Sequence, residues 1–263
     1  MELITVNNEK CTKDGLCIRE CPVTLITAGP EGFPAAVENA AELCIGCGHC
    51  AAICPHGALV LKGTDPGTLL PVQEEGAIGG DALIHLMKSR RSVRQYKETP
   101  VPAEVLQKLL DAAGYAPTAR NQQTLGWIVM ERREVVHDLA KRIIEGLRQA
   151  DFMPAMVKAF DEGRDVVFRG APHLVITHAP SESVLPQVDC VIALTYFELA
   201  AWASGVGTCW AGFLMKAAEM NPAIERQLGI PEGRRLYGAL MAGYPKIRYR
   251  RVPERKAREL RWL

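Results

Sequence analysis

Apolar residues recur at helical spacing over residues 102–113, where Val105, Leu106, Leu109, Leu110 and Ala113 share one face and Gly114 ends the run. Pro102 fits the first turn of that helix, because its missing N–H would have no intrahelical acceptor there. An earlier helix is expected after Asp81, a suitable N-cap, with Leu83, Ile84 and Met87 on one side. Further helices are expected over 133–149, 153–161, 187–204 and 216–228. Strands are expected over 127–130, 174–178, near Thr208 and over 236–242. Helices and strands mix without a regular βαβα alternation, so the pattern predicts an α+β fold.

The first 62 residues read differently. Short apolar runs at residues 3–6 and 58–61 predict an opening and a closing strand. Between them a cysteine loop followed by a short helix occurs twice, separated by a Gly/Pro-containing connection over 29–34. Residues 63–80, GTDPGTLLPVQEEGAIGG, hold five glycines and two prolines without a sustained period and read as a linker. Three parts are therefore expected: 1–62, a linker at 63–80, and a larger domain at 81–263.

The segment 187–204 is apolar all round. Between Asp189 and Lys216 the only charge is Glu198, and the stretch is long enough to span a bilayer. Gly205, Gly207 and Thr208 divide it into a helix and a following strand. A helix apolar on all sides is usually buried in a large domain or an oligomer interface, which is the expectation here.

Composition adds little until charge is resolved along the chain. Of 263 residues, 48% are hydrophobic and 23% charged, and the formal net charge is +1. That balance gives no reason to expect nucleic acid or a membrane as partner. Residues 1–80 nevertheless carry ten acids against four Lys or Arg, leaving the rest basic. The opening MELITVNNEK has neither a basic n-region nor an apolar h-region, so a cytoplasmic location is expected.

Cysteine changes the picture most. Seven of nine lie within the first 54 residues, and dense cysteine without a secretion signal argues for metal rather than disulfides. Residues 44–54, CIGCGHCAAIC, precede Pro55 and match the C-x2-C-x2-C-x3-C-P run that holds iron–sulfur clusters in bacterial ferredoxins. Small residues such as Gly46 and Gly48 let the backbone approach a cluster and aim N–H groups at its sulfurs. A structural zinc site usually draws on two separated ligand pairs and fits this spacing poorly.

Residues 11–21, CTKDGLCIREC, precede Pro22 and fit the same template with Asp14 at the second cysteine position. In two-cluster ferredoxins the fourth cysteine of each run ligates the other cluster. One cluster is then expected on Cys11, Cys17, Cys54 and Asp14, and the other on Cys44, Cys47, Cys50 and Cys21. Both are expected as 4Fe–4S. A carboxylate is a harder ligand than a thiolate. Asp14 either coordinates the fourth iron or leaves it labile, giving a 3Fe–4S cluster.

Four stretches of the larger part resemble the nitroreductase family of FMN flavoproteins. They are SRRSVRQY at 89–96, APTARNQQ at 116–123, GVGTCWAG at 205–212, and AGYPKIRYRRVPERK at 242–256. The resemblance implies that Arg90 and Ser92 meet the FMN phosphate and ribityl end. It also implies that Arg94 reaches the isoalloxazine edge and that Pro117, Thr118 and Asn121 line the flavin. Backbone amides of Ala211 and Gly212 would face flavin N5, and Arg255 would be a second phosphate clamp, with Lys256 a weaker candidate. A phosphate suits bidentate guanidinium donors and a hydroxyl. The chain departs from the family where a Pro-Trp pair usually follows, having Thr124-Leu125 instead. The family fold is an α+β sandwich forming an interlocked homodimer with FMN at the subunit interface, and the 187–204 helix is a natural candidate for burial there.

Together these readings predict a two-cluster ferredoxin-like domain joined to an FMN-dependent oxidoreductase. An external low-potential donor would reduce the clusters, and FMN would reduce a small organic acceptor, such as a nitroaromatic, at N5. No side chain is expected to act as a separate catalytic group. Two other classes fit the same motifs: an electron carrier without its own substrate, and an NAD(P)H-dependent flavin reductase. Residues 145–170 match no family signature and are expected to cover the pocket; Arg164 or Arg169 could face a substrate there, solvated arginines being the commoner case.

Overall fold

The computed structural model describes residues 2–73 and 77–263, so residues 74–76 of the expected linker lie outside the described residues. The chain forms two compact units, Met1–Ala77 with Arg120–Gln122, and Ile78–Ala119 with Gln123–Leu263.

In the first unit, β1 (Ile4–Val6) pairs antiparallel with β4 (Leu59–Leu61), Ile4 opposite Leu61. A second antiparallel pair, β2 (Ile26–Ala28) and β3 (Pro34–Ala36), is a hairpin absent from the sequence expectation. The Gly/Pro connection read there is its turn, with Gly32 at φ +79°. Each strand has only three residues, too short for an apolar alternation to register. Three short helices accompany the cysteine runs: α1 (Leu16–Glu20) and α3 (His49–Ala52) lie within them, and α2 (Ala40–Leu43) precedes the second. Leu3, Ile4, Leu25, Ile26, Leu59 and Leu61 pack with Cys17 and Cys50 into a small core.

The second unit is built on an antiparallel sheet of β5 (Gly126–Met130), β6 (His173–Pro180), β7 (Gly207–Trp210) and β8 (Arg234–Gly243), in the order β5-β6-β8-β7. Side chains alternate across a strand, so Leu174 and Ile176 enter one apolar cluster while Val175 enters the other. On one face lies α6 (Arg133–Gln149), with Val136, Leu139, Ile143 and Ile144 buried. On the other lie α5 (Ala103–Ala113) and α8 (Pro186–Ala203), burying Leu106, Leu109, Leu194 and Phe197. This is the expected α+β sandwich of helices over both faces of a sheet. No helix among the described residues is long and apolar enough to cross a membrane.

Three boundaries differ from the sequence reading. The helix α4 spans Gly80–Ser89, so Asp81 sits in its first turn rather than capping it. The single helix expected over 216–228 is two, α9 (Gly212–Met220) and α10 (Ala223–Gln227). Pro222 has no N–H for helix continuation, and the Asn221 side chain accepts the Ala223 amide at 3.0 Å. The last strand begins at Arg234, before the apolar run, because Arg235 Nε and the Leu236 amide both donate to the buried Glu225 carboxylate. The remaining helix, α7, spans Pro154–Asp161.

Candidate functional site

The seven N-terminal cysteines fall into two sets. One small cavity is lined by Cys11, Asp14, Cys17 and Cys54, and another by Cys21, Cys44, Cys47 and Cys50. The fourth cysteine of each run thus joins the other run's set. Burial raises the Cys17 thiol, with Cys54 and Asp14 adding to the effect. Burial likewise pushes Cys50 up to about 11, with Cys47, Cys21 and Cys44 adding to it. All nine cysteines are free. Among the described residues no three His, Cys, Asp or Glu converge as a single metal ion requires; each set rings a cavity instead.

The backbone of these loops suits a sulfide-rich group. Gly15, Gly46 and Gly48 have φ of +69°, +64° and +76°, conformations that cost glycine little. Gly15 and Gly48 cap the starts of α1 and α3, and Cys21 and Cys44 stand in extended backbone at the ends of α1 and α2. The amides of Leu25, Gly46 and Ala58 donate to Cys21, Cys44 and Cys54 sulfurs at 3.3, 3.4 and 3.3 Å. Asp14 Oδ1 accepts the Leu16 amide at 2.9 Å, and Oδ2 accepts the Thr12 hydroxyl at 3.3 Å.

In the second unit, a cavity of about 440 Å³ opens between the start of α9, the end of α6 and the loop before β6. Arg94 and Gly212, both expected at the flavin, line it together with Trp210 and Cys209. Leu147, Phe152, Met153, Val167 and Arg169 line it as well, so the 145–170 segment contributes the wall expected of it. Arg164 does not; it pairs with Glu162 at 2.8 Å. Of the two amides expected to face a ligand, that of Ala211 donates to the Ala239 carbonyl at 2.9 Å. Gly212, the first residue of α9, keeps an N–H without an intrahelical acceptor.

The remaining candidates are placed as follows. Arg90 follows α4 and donates Nη1 to Glu198 Oε1 at 3.1 Å, and the Thr208 hydroxyl donates to the same oxygen at 2.9 Å. Val93 N–H donates to the Thr208 carbonyl at 2.8 Å, so the first and third family-like stretches are bonded directly. The Ser92 carbonyl accepts Tyr249 Oη at 3.3 Å, which brings the fourth stretch alongside. A basic cavity of about 680 Å³ lies there, lined by Ser89, Lys97, Lys246, Arg248 and Arg250 among others. Arg255 and Lys256 lie on the exposed terminal stretch beyond it.

The second stretch has left-handed backbone at three non-glycine residues, Arg120, Asn121 and Gln123. Thr118 Oγ1 accepts the Gln123 amide at 3.0 Å, and Asp189 Oδ1 accepts the Ala119 amide at 2.9 Å. Pro117 precedes that turn. Asn121 groups with the first unit, where its side-chain amide donates to the carbonyls of Ile45 and Gly46 at 3.2 and 3.1 Å. Glu198 and Asp189 were not singled out as site residues from sequence. Their signal was present, since carboxylates buried in an otherwise apolar helix need partners.

A nitroreductase-family profile matches residues 87–244. The chain belongs to the nitroreductase family. With that family it is an FMN-dependent oxidoreductase, and a 4Fe–4S dicluster domain matches residues 10–59. A protein of Archaeoglobus fulgidus, whose name provisionally calls it an NADH dehydrogenase/NAD(P)H nitroreductase, is 29% identical over 167 residues, covering 62% of this chain and 85% of its own. The NADH dehydrogenase of Thermus thermophilus is 28% identical over 189 residues, covering 59% and 83%. Among solved structures, the FMN-bound nitroreductase of Bacteroides fragilis superposes with a TM-score of 0.56 at 25% identity, covering 68% of this chain and 98% of its own.

Proposed function

We propose that this nitroreductase-family chain is an iron–sulfur flavoprotein in which electrons enter through two ferredoxin-type clusters, pass to FMN and leave to a small organic acceptor such as a nitroaromatic. The observation that carries this reading is the convergence of Arg94, Trp210 and Gly212 on one cavity, in a chain whose cysteines also form two crossed sets. FMN takes up single electrons and delivers them in pairs, and iron–sulfur clusters supply them singly.

The residues fit that flavin. Arg94 supplies a cation at the cavity wall, and the Gly212 N–H supplies a donor that does not titrate, suited to an oxidised or reduced ring. Arg90, positioned by Glu198, and Ser92 take the phosphate and ribityl end, with the basic terminal stretch and Arg255 behind them. Pro117 and Thr118 complete the flavin site, Thr118 from a turn fixed by Gln123 and Asp189. The division into 1–62, 63–80 and 81–263, and a cytoplasmic location, belong to the same reading.

The protein works as an interlocked homodimer with FMN at the subunit interface. Leu83, Ile84 and Met87 of α4 are 40, 47 and 51% exposed and share one helical face, an apolar surface suited to a second copy. Asp14 sits where a fourth thiolate would, so its cluster is 4Fe–4S with a labile corner that empties to 3Fe–4S. The donor is an external low-potential carrier.

The test is anaerobic reconstitution with FMN, iron and sulfide, followed by stepwise photoreduction. Cluster absorbance should fall first and flavin absorbance after it, with reoxidation on adding a nitroaromatic. A chain that binds no FMN, or whose flavin stays oxidised beside reduced clusters, would overturn the proposal. The names of the two relatives favour a second reading, direct reduction of the flavin by NAD(P)H. Rapid flavin bleaching by NADH or NADPH with the clusters removed would establish that alternative.

A further inference from the structure

Resting on the flavin reading of the 440 Å³ cavity, we infer that this site takes an aromatic carboxylate as its organic ligand and that Arg169 is the residue that anchors the carboxylate. The cavity wall is apolar for most of its extent, with Phe152, Met153, Phe213 and Met220 among its side chains. Three cations also line it, Arg94, Arg169 and Lys216, and no carboxylate does among the described residues. An apolar cleft with a few convergent polar groups selects ligands by an apolar body and one complementary head.

The three cations are not equivalent. Lys216 is paired with Glu219 at 2.9 Å and its side chain is largely solvated. Arg94 belongs to the stretch assigned to the flavin, and among the described residues its side chain bonds the Ser92 carbonyl at 3.4 Å. Arg169 lies in none of the four family-like stretches and has no hydrogen-bond or ion-pair partner among the described residues. One cation is thus left over after the flavin is served.

Arg169 is also held in place. Asp165 accepts the amides of Val167 and Phe168 on Oδ1 at 3.0 and 2.8 Å, and that of Gly170 on Oδ2 at 2.9 Å. Val167 and Phe168 are buried at 1% and 0% exposure, which pins the loop to the core. Between them and Gly170, Arg169 is forced to φ +57°, a conformation that costs a non-glycine residue energy and persists only where its surroundings fix it. The loop therefore presents a preorganised guanidinium, and a guanidinium's parallel donors match a carboxylate's two oxygens. A planar ring suits the apolar wall, and the volume lies within the range of small-molecule sites.

The test uses the flavin-loaded full chain and two near-isosteric probes, 4-nitrobenzoate and 4-nitrobenzamide, titrated against flavin absorbance. The wild type should bind the carboxylate at least about tenfold more tightly, with a preference that shrinks as salt is raised. Arg169→Gln should abolish the preference while leaving FMN content and 4-nitrobenzamide affinity unchanged, and Arg169→Lys should restore part of it. Equal wild-type affinities would overturn the inference. So would an Arg169→Gln variant that loses both probes alike, or one that loses FMN, since Arg169 would then serve the cavity wall or the cofactor. If the chain takes up no FMN the flavin reading fails, and calorimetry of the two probes with the flavin-free chain still decides whether Arg169 selects the carboxylate.

Discussion

Arg90 and Glu198 lie 108 positions apart in the chain and meet through Nη1 and Oε1 at 3.1 Å. The carboxylate side chain is 9% exposed, and the guanidinium 22%. Thr208 donates to the same oxygen, so one buried acid ties α4, α8 and β7 together. Removing an acid of this kind leaves a sheltered cation and a hydroxyl without partners, which costs more than the pair itself contributes.

Glu198→Ala is expected to lower stability by about 2–3 kcal/mol, read from urea unfolding. It should also weaken FMN retention, because Arg90 loses its fixed orientation. Glu198→Gln keeps an acceptor for Thr208 and should lose less on both counts. A Glu198→Ala chain that unfolds at the wild-type urea concentration would remove the pair from any stabilising role.

The crossed cysteine sets make a selective prediction. Cys54→Ser should remove or weaken the cluster beside Cys11 and Cys17 and leave the other intact, while Cys21→Ser should do the reverse. Electron paramagnetic resonance and iron content per chain distinguish the outcomes. Asp14→Cys should retain iron through mild air exposure where the wild type loses one, because a thiolate holds iron in a sulfur site more firmly than a carboxylate.

His178 sets a pH dependence. Burial and then the Arg234 guanidinium, which donates to Nδ1 at 2.7 Å, lower its pKa below the usual 6.5. The unfolded chain therefore binds a proton more readily than the native one below that pH. Stability from this group is complete above about pH 6.5 and is lost as the pH falls toward the depressed native value. Its slope reaches at most about 1.4 kcal/mol per pH unit. His178→Gln should flatten the wild-type decline in unfolding midpoint between pH 7 and pH 5. His173, buried with a pKa lowered chiefly by desolvation, should leave a similar residual slope.

Two glycines in one motif should respond for different reasons. A Cβ on Gly207 would overlap the Val93 side chain, so Gly207→Ala should cost about 1–3 kcal/mol by overpacking, with Val93→Ala recovering part of it. Gly205 has open space around it but φ of +76°, so Gly205→Ala should cost about 1 kcal/mol through backbone conformation, without rescue by Val93→Ala. Denaturation midpoints of the three single variants and the Gly207/Val93 double variant separate the two causes.

Much of this was legible because its causes are local. Cysteine spacing, with the crossing rule of two-cluster ferredoxins, anticipated the two sets of side chains that line the two small cavities. The apolar patterns gave α5, α6 and α8 nearly to their ends, because each buries an apolar face. The β2–β3 hairpin is not legible because three-residue strands carry no period, and α9 and α10 read as one helix because the apolar spacing continues across Pro222.

Contacts made at long sequence separation were decided only by the tertiary structure. Glu198 was visible as the one charge between Asp189 and Lys216, but its partners Arg90 and Thr208 follow from the packing of α8 beneath the sheet. The Ala211 amide looked available until strand pairing committed it to Ala239, leaving Gly212. Arg169 stood in the sequence as one of three arginines in an unmatched segment, with Arg148 and Arg164. The Asp165 turn and the burial of Phe168 aim Arg169 into the cavity, while Arg164 turns to Glu162. Residue type and spacing set the chemistry this chain carries; which groups remain free to use it depends on which hydrogen bonds the fold has already taken.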